Sequence, residues 1–256
     1  MALLKIWRTI HEHGLRNAYK KVATVAPGYL SGARYWKFRR CQCCQRFTIF
    51  VAPRNGSSDF RACLFCSANG LYELLANEIR DRFGSRLAEL DVLELDPHSP
   101  LRGMFSKAHR YVRSFYEEGC PDRQRDGAVC EDITALSFEE HSFDLIVSSE
   151  VLEHVPRLEE AFSETARVLR PGGAHIFTVP PRESTKRRAE IVNGKVIHLE
   201  PPDYHLDPLN PQGILAFWDI GPDLPEVIPS PGLTVRIAKG PVGDLGRVVW
   251  IAERTK

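Results

Sequence analysis

Between positions 91 and 179 short apolar runs alternate with turn signals and a clear helical pattern, and this alternation constrains the fold more than any other feature of the chain. The runs Asp91–Leu95, Tyr111–Val112, Ala128–Cys130, Phe143–Ser148 and Ala174–Val179 are too short for helices and read as strands. Between the last two, Arg157–Leu169 repeats apolar Leu158, Ala161, Phe162, Ala166, Val168 and Leu169 at helical spacing, and Pro171-Gly172-Gly173 stops it. A further helix is expected over Leu71–Phe83, ended by Gly84. Strands that alternate with helices are joined by crossovers, so the sheet is mostly parallel and the class is α/β. Thr234–Ile237 and Arg247–Ala252 add two more strands, giving seven, and Asn193-Gly194 within Ile191–Ile197 marks a hairpin turn.

The chain has 256 residues, enough for one large domain with a small appendage. With 43% hydrophobic residues, and 34 basic against 33 acidic groups, it is neither disordered nor fibrous. No run approaches the roughly 18–20 apolar residues of a membrane span. The opening MALLKIWRTIHEHG lacks the apolar stretch and cleavage site of a secretory signal, so a cytoplasmic location is expected. The near-zero net charge hides a split. Residues 1–60 hold eleven Lys or Arg against Glu12 and Asp59, a net of +9, which leaves −8 for residues 61–256. Within that basic arm Leu3, Ile6, Trp7, Ile10 and Leu15 outline an amphipathic helix. Such a helix packs on its own domain or makes peripheral contact with a membrane surface, and its charge also suits RNA or an acidic glycan.

Five of the seven cysteines lie between positions 41 and 66. Cys41-Gln42-Cys43-Cys44 and Cys63-Leu64-Phe65-Cys66 each contain a C-x2-C pair, with eighteen residues between the pairs. Two such knuckles gather four thiolates around a tetrahedral ion, the arrangement structural Zn²⁺ prefers. Cys41, Cys44, Cys63 and Cys66 are the expected ligands. Cys43 is the spare, able to replace Cys41 or Cys44.

The stretch from Cys130 to Pro180 carries four motifs in order: D-I-x-x-L-x-F (Asp132–Phe138), S-F-D-L-I (Ser142–Ile146), E-V-L-E-H-V (Glu150–Val155) and R-V-L-R-P-G-G (Arg167–Gly173). Their order and spacing resemble the class I S-adenosylmethionine-dependent methyltransferases, over roughly Asp91 to Pro181. The resemblance implies a Rossmann-like sheet with the donor held at strand tips. It implies contacts from Glu94, Leu95 and Asp96, from Asp132 to the adenine amino group, and from the Ile133 backbone N–H to the ring. Ser148, Ser149 and Glu150 would line the floor. The chain departs from the family in its first loop, Glu94-Leu95-Asp96-Pro97-His98-Ser99-Pro100, which holds no glycine before Gly103. A subset of the family with an N-terminal zinc ribbon resembles this chain in using a proline-containing loop there. The ribose-binding acid is also displaced, since none follows Tyr111 until Glu117.

The implied domains are a basic helical arm over residues 1–34, a zinc-ribbon-like module over 35–68 and a methyltransferase domain over 69–256, with 182–230 covering the acceptor site. Methyl transfer from a sulfonium is an in-line displacement, in which alignment dominates and a base serves a hydroxyl nucleophile. The candidate base is His205 in Tyr204-His205-Leu206-Asp207-Pro208, with Asp207 orienting it. The expected acceptor is a small molecule or glycan-type hydroxyl. Two other readings stand beside it: an RNA methyltransferase that holds RNA with the zinc module and basic arm, and a binding protein that has kept the fold without activity.

Overall fold

The computed structural model describes residues 36–51, 61–119, 123–205, 212–242 and 246–255. The basic arm, Cys120 and Asp207 lie outside them. The described residues form two compact units, the first made of those up to Asn77 with His98–Met104, the second of the remainder.

In the first unit β1 (Lys37–Arg40), β2 (Phe47–Val51) and β3 (Ala62–Cys63) form an antiparallel sheet in that order. Each cysteine pair sits in a tight turn of the same design. The Gln45 N–H bonds the Cys41 carbonyl at 2.9 Å, the Ser67 N–H bonds the Cys63 carbonyl at 2.9 Å, and Gln45 and Ser67 both take left-handed φ values of 60° and 67°. Helix α1 (Gly70–Phe83) follows. Its first turn brings Glu73, which is buried, against the Gln42 N–H at 2.9 Å and the Arg39 guanidinium, while Arg39 also lies 3.6 Å over the Phe50 ring. These contacts tie the start of α1 to the β1–β2 hairpin.

The second unit is built on an eight-stranded sheet. Its strands are β4 (Asp91–Glu94), β5 (Arg110–Phe115), β6 (Gln124–Arg125), β7 (Ala128–Cys130), β8 (Phe143–Ser149), β9 (Leu169–Thr178), β16 (Leu233–Val242) and β17 (Arg247–Arg254). The order is β16-β17-β9-β8-β4-β5-β7-β6. From β9 through β7 every pairing is parallel, while β17, β16 and β6 join antiparallel at the two sides. The eighth strand, beyond the seven expected, is the two-residue β6 on one edge, too short to leave a periodic signal. Intervening short pairs, β10 (Lys186–Arg187) with β15 (Trp218–Asp219), β11 (Ala189–Val192) with β12 (Lys195–His198), and β13 (Tyr204–His205) with β14 (Ile214–Leu215), make up the insertion between β9 and β16. Asn193 and Gly194 take φ of 51° and 73°, as a two-residue turn of mirror-image type requires. Two four-residue helices, α2 (Arg102–Phe105) and α4 (Leu224–Val227), complete the elements with α3 (Leu158–Val168).

Helix α3 buries Leu158, Ala161, Phe162, Thr165 and Ala166, positions spaced i, i+3, i+4, i+7 and i+8 that form one face. That face joins the cluster around Phe177 of β9 and Trp250 of β17, whose rings stack 6.1 Å apart. The helix ends where expected, but β9 begins at Leu169, five residues ahead of the strand read from the sequence. Pro171-Gly172-Gly173 breaks the helix without delaying the strand: a register shift after Phe143 absorbs the irregularity, with Gly172 at φ 80°.

Chain order and space order part company at β4. The first strand has β5 and β7 on one side, after which the chain returns to place β8 and β9 on the other. Such a reversal opens a crevice outside the carboxyl ends of the two central strands.

Candidate active site

Four strand ends converge on that crevice: Glu94-Leu95-Asp96 after β4, Tyr116 after β5, Glu131-Asp132-Ile133 after β7 and Ser149-Glu150 after β8. Glu94 is buried and accepts the Tyr111 hydroxyl, whose pKa burial and that carboxylate drive upward. Leu95 continues the ladder, its N–H bonding the Val147 carbonyl at 2.9 Å. The glycine-free loop is held by a different device. Buried Arg113 donates to the Pro97 carbonyl at 2.7 Å and to the Asp126 carbonyl at 2.6 Å, clamping the loop to its neighbours.

Asp132 opens a turn. Its Oδ1 accepts the Thr134 N–H at 2.8 Å and the Thr134 hydroxyl at 2.7 Å, and its carbonyl accepts the Ala135 N–H. Oδ2 takes no hydrogen bond from the described residues. The Ile133 side chain is buried in the cluster with Leu152 and Val155, which fixes the backbone of the turn. A cavity of about 560 Å³ lies here, lined by Tyr116, Asp132, Glu131 and Phe138 among others. Tyr116 is exposed, and burial together with the Asp132 and Glu118 carboxylates raises its hydroxyl pKa. An aromatic face beside an acceptor carboxylate can hold a purine by stacking and an amino contact. The donor set fits an adenosyl group.

Strand alternation divides the expected floor. Ser148 is buried and its hydroxyl meets His175 Nε2 at 2.8 Å inside the sheet, so its side chain is turned away from the crevice. Ser149 accepts the Thr178 hydroxyl at 3.3 Å. Glu150 stands at φ 55°, with Arg247 at 3.3 Å. Burial and the nearby Glu153 carboxylate push the Glu150 carboxyl up to about 7, against the pull of Arg247.

Beyond Glu150 a single 3-10 turn, Leu152–His154, presents Glu153 and His154, and the β13–β14 pair brings His205 against them. Glu153 Oε1 is 3.6 Å from His154 Nε2 and 3.6 Å from His205 Nδ1, and the two rings meet edge to face at 4.8 Å. Asp203 Oδ2 lies 3.7 Å from His205 Nε2, and Glu153 holds the His205 pKa above its ordinary value. Sequence reading singles out His205, whereas Glu153 and His154 stand only within the E-V-L-E-H-V motif. The available signal was Glu150-x-x-Glu153-His154, a spacing that puts all three on one side of a helical turn.

In the first unit the Cys41 and Cys66 sulfurs are 3.6 Å apart, Cys44 and Cys63 are 3.8 Å apart, and all four lie within 4.8 Å of one another. Cys43 stands outside this set and points at the Tyr72 carbonyl at 3.3 Å.

Residues 91–177 match the family model for a methyltransferase domain. With the parallel sheet and its crevice, the match gives the body of the chain a Rossmann-like fold similar to that of methyltransferase domains. Among particular proteins, a hybrid PKS-NRPS synthetase of Xenoacremonium sinensis is 49% identical over 49 residues, 19% of this chain and 1% of the synthetase. The 24-methylenesterol C-methyltransferase 3 of Arabidopsis thaliana is 31% identical over 71 residues, 26% of this chain and 20% of that enzyme. The chain thus spans a fifth or less of the curated relatives it matches. Similar solved structures include the Burkholderia thailandensis 1,6-didemethyltoxoflavin-N1-methyltransferase with its substrate and S-adenosylhomocysteine bound. It is 16% identical, covers 70% of this chain and 76% of that one, and has a TM-score of 0.45. A Mesorhizobium loti S-adenosylmethionine dependent methyltransferase is 16% identical, covers 66% and 92%, and has a TM-score of 0.41. No helix among the described residues is long and apolar enough to cross a membrane.

Proposed function

We propose that the protein transfers a methyl group from S-adenosylmethionine to a hydroxyl of a small-molecule or glycan-type acceptor. The observation that carries this reading is the grouping of Glu153, His154 and His205 just beyond the carboxyl end of β8, on the crevice side of the sheet. When bound, the cofactor supplies an electrophilic methyl carbon whose bonding pair returns to sulfur as the acceptor oxygen attacks. Asp132 and Tyr116 hold the adenine end, and Glu94, Leu95 and Asp96, at the carboxyl end of β4, keep the donor contacts the resemblance implies. His205 takes up the acceptor's proton, and Glu153 favours the imidazolium that results. Asp207, two residues on, retains its expected role as an orienting group. The insertion between β9 and β16 covers the acceptor.

Binding of S-adenosylhomocysteine by calorimetry tests the donor site. Asp132→Ala is expected to weaken it about tenfold or more, the worth of a hydrogen bond to a carboxylate. Absence of binding to the wild-type protein at millimolar ligand overturns the reading in favour of a binding protein without activity.

Zinc in the four-cysteine cluster is part of the same proposal. Tetrahedral bonds of about 2.3 Å place sulfurs about 3.8 Å apart, close to the 3.6 and 3.8 Å separations here. Elemental analysis of the purified protein is expected to give one zinc per chain, lost in Cys44→Ser.

A second reading, methylation of RNA, has its own support in the ribbon. Phe38, Phe47 and Phe65 are exposed beside Lys37, Arg40 and Arg46, a pairing of rings and cations suited to single-stranded bases. A gel shift with structured RNA that weakens steeply with salt would favour it.

A further inference from the structure

The Glu153–His154–His205 group has an unresolved electrostatic feature. His154 Nδ1 lies 2.9 Å from the Leu215 carbonyl oxygen, which can only accept, so Nδ1 is the donor in that bond. Its Nε2 faces Glu153 Oε1 across 3.6 Å, beyond hydrogen-bond range. Glu153 is 2% exposed, and neither of its carboxylate oxygens has a hydrogen-bond partner. An ion pair with His205 that satisfied the carboxylate would close to about 2.8 Å, whereas Nδ1 stands at 3.6 Å. The cations nearby are occupied elsewhere: Arg182 with Asp203 at 2.7 Å and Asp219 at 3.0 Å, and Arg247 with Glu150 at 3.3 Å.

We propose that Glu153, His154 and His205 bind a divalent cation at the acceptor end of the crevice. The ligand atoms lie within 4.8 Å of one another, and a cation with bonds of about 2.1 Å to two atoms 3.6 Å apart subtends about 118° between them. The outer contacts are those of metal-binding imidazoles, a ring N–H given to a backbone carbonyl for His154 and a carboxylate beside the distal nitrogen of His205. Two imidazoles and one carboxylate select a first-row transition ion such as Mn²⁺, Fe²⁺, Co²⁺ or Zn²⁺ over Mg²⁺, and leave positions open for acceptor oxygens. Bound there, the cation would take over from His205 the task of acidifying the acceptor hydroxyl, with His205 as one of its ligands. This role rests on the reading of the cluster as the acceptor site; the binding of the ion does not.

Titration of the zinc-loaded, full-length protein with Mn²⁺, followed by the loss of the free-ion EPR signal, tests the proposal. Mn²⁺ prefers oxygen and nitrogen to thiolates, which separates this site from the cysteines. The expected result is one Mn²⁺ bound per chain, with affinity reduced at least tenfold in Glu153→Gln and in His205→Ala, each checked for native circular dichroism. Cys44→Ser should leave it unchanged. Absence of Mn²⁺ binding to wild type, or equal binding by both variants, overturns the proposal. S-adenosylhomocysteine binding measured on the same samples keeps the two readings apart. If the nucleoside binds and Mn²⁺ does not, the cation falls and methyl transfer stands; if Mn²⁺ binds and the nucleoside does not, the reverse holds.

Discussion

His175 offers a direct test of the sheet interior. It lies on β9 between Ile146 and Ala252, fully buried, with Ser148 at 2.8 Å on Nε2 and no partner on Nδ1. Burial pushes its pKa down to about 3, so the folded state keeps it neutral through the ordinary pH range. The unfolded chain titrates near 6.5. Because the folded value is the lower one, the unfolded state binds the extra proton, and stability present above about pH 6.5 is lost as the pH falls. Integrating from pH 8 to pH 5 gives a loss of about 2 kcal/mol from this one group. Glu150, with its carboxyl raised to about 7, contributes in the opposite direction over the same interval, so the wild-type profile alone is uninformative. The difference between wild type and His175→Leu isolates the histidine. The variant should be weaker at pH 8 by about 1 kcal/mol for the lost Ser148 bond. Between pH 8 and pH 5 it should lose about 2 kcal/mol less than wild type does. Urea unfolding at the two pH values measures both quantities. Equal losses for the two proteins would refute the neutral, buried histidine.

Arg170 bridges Asp91 and Asp144 at 2.7 Å each, and Arg170→Met should cost about 1–2 kcal/mol at pH 7, a figure discounted because the guanidinium is 38% exposed. Burial raises the Asp91 pKa, but the His109 bond and Arg170 outweigh it and the net shift is downward, so the Asp91 contribution is present above about pH 4 and fades below it. The penalty of the variant should shrink correspondingly in urea melts taken at acid pH. Gly221→Ala would set a Cβ 2.4–2.6 Å from three backbone atoms of Ser184, and a loss of about 2–3 kcal/mol in thermal unfolding is expected. A melt indistinguishable from wild type would mean the two strands of chain are not in contact there.

The parallel body could be read from the sequence because its strands are buried on both faces and stand out as apolar runs, and because α3 repeats its apolar residues at the helical period. The cysteine pairs were equally legible, since each C-x2-C turn is a local event. Other features were not local. Which side of the sheet Ser148 faces depends on strand register, and it faces His175, 27 residues away. β6 is too short to show a period, and β9 starts early because pairing with Phe143 outweighs the Pro-Gly-Gly break. Arg113, which steadies the glycine-free loop, is a lone basic residue until the fold sets it beside Pro97.

The alternation of runs and turns, together with the spacing of the cysteine pairs, by itself determined an α/β sheet and a candidate cluster of four thiols, because these follow from periodicity and short-range spacing. Only the tertiary structure decided that Glu153 and His154 meet His205, 51 residues beyond His154 in the chain and carried back by the β13–β14 pairing. A buried carboxylate with nothing to bind is a property of three-dimensional neighbours, and no window of sequence contains them.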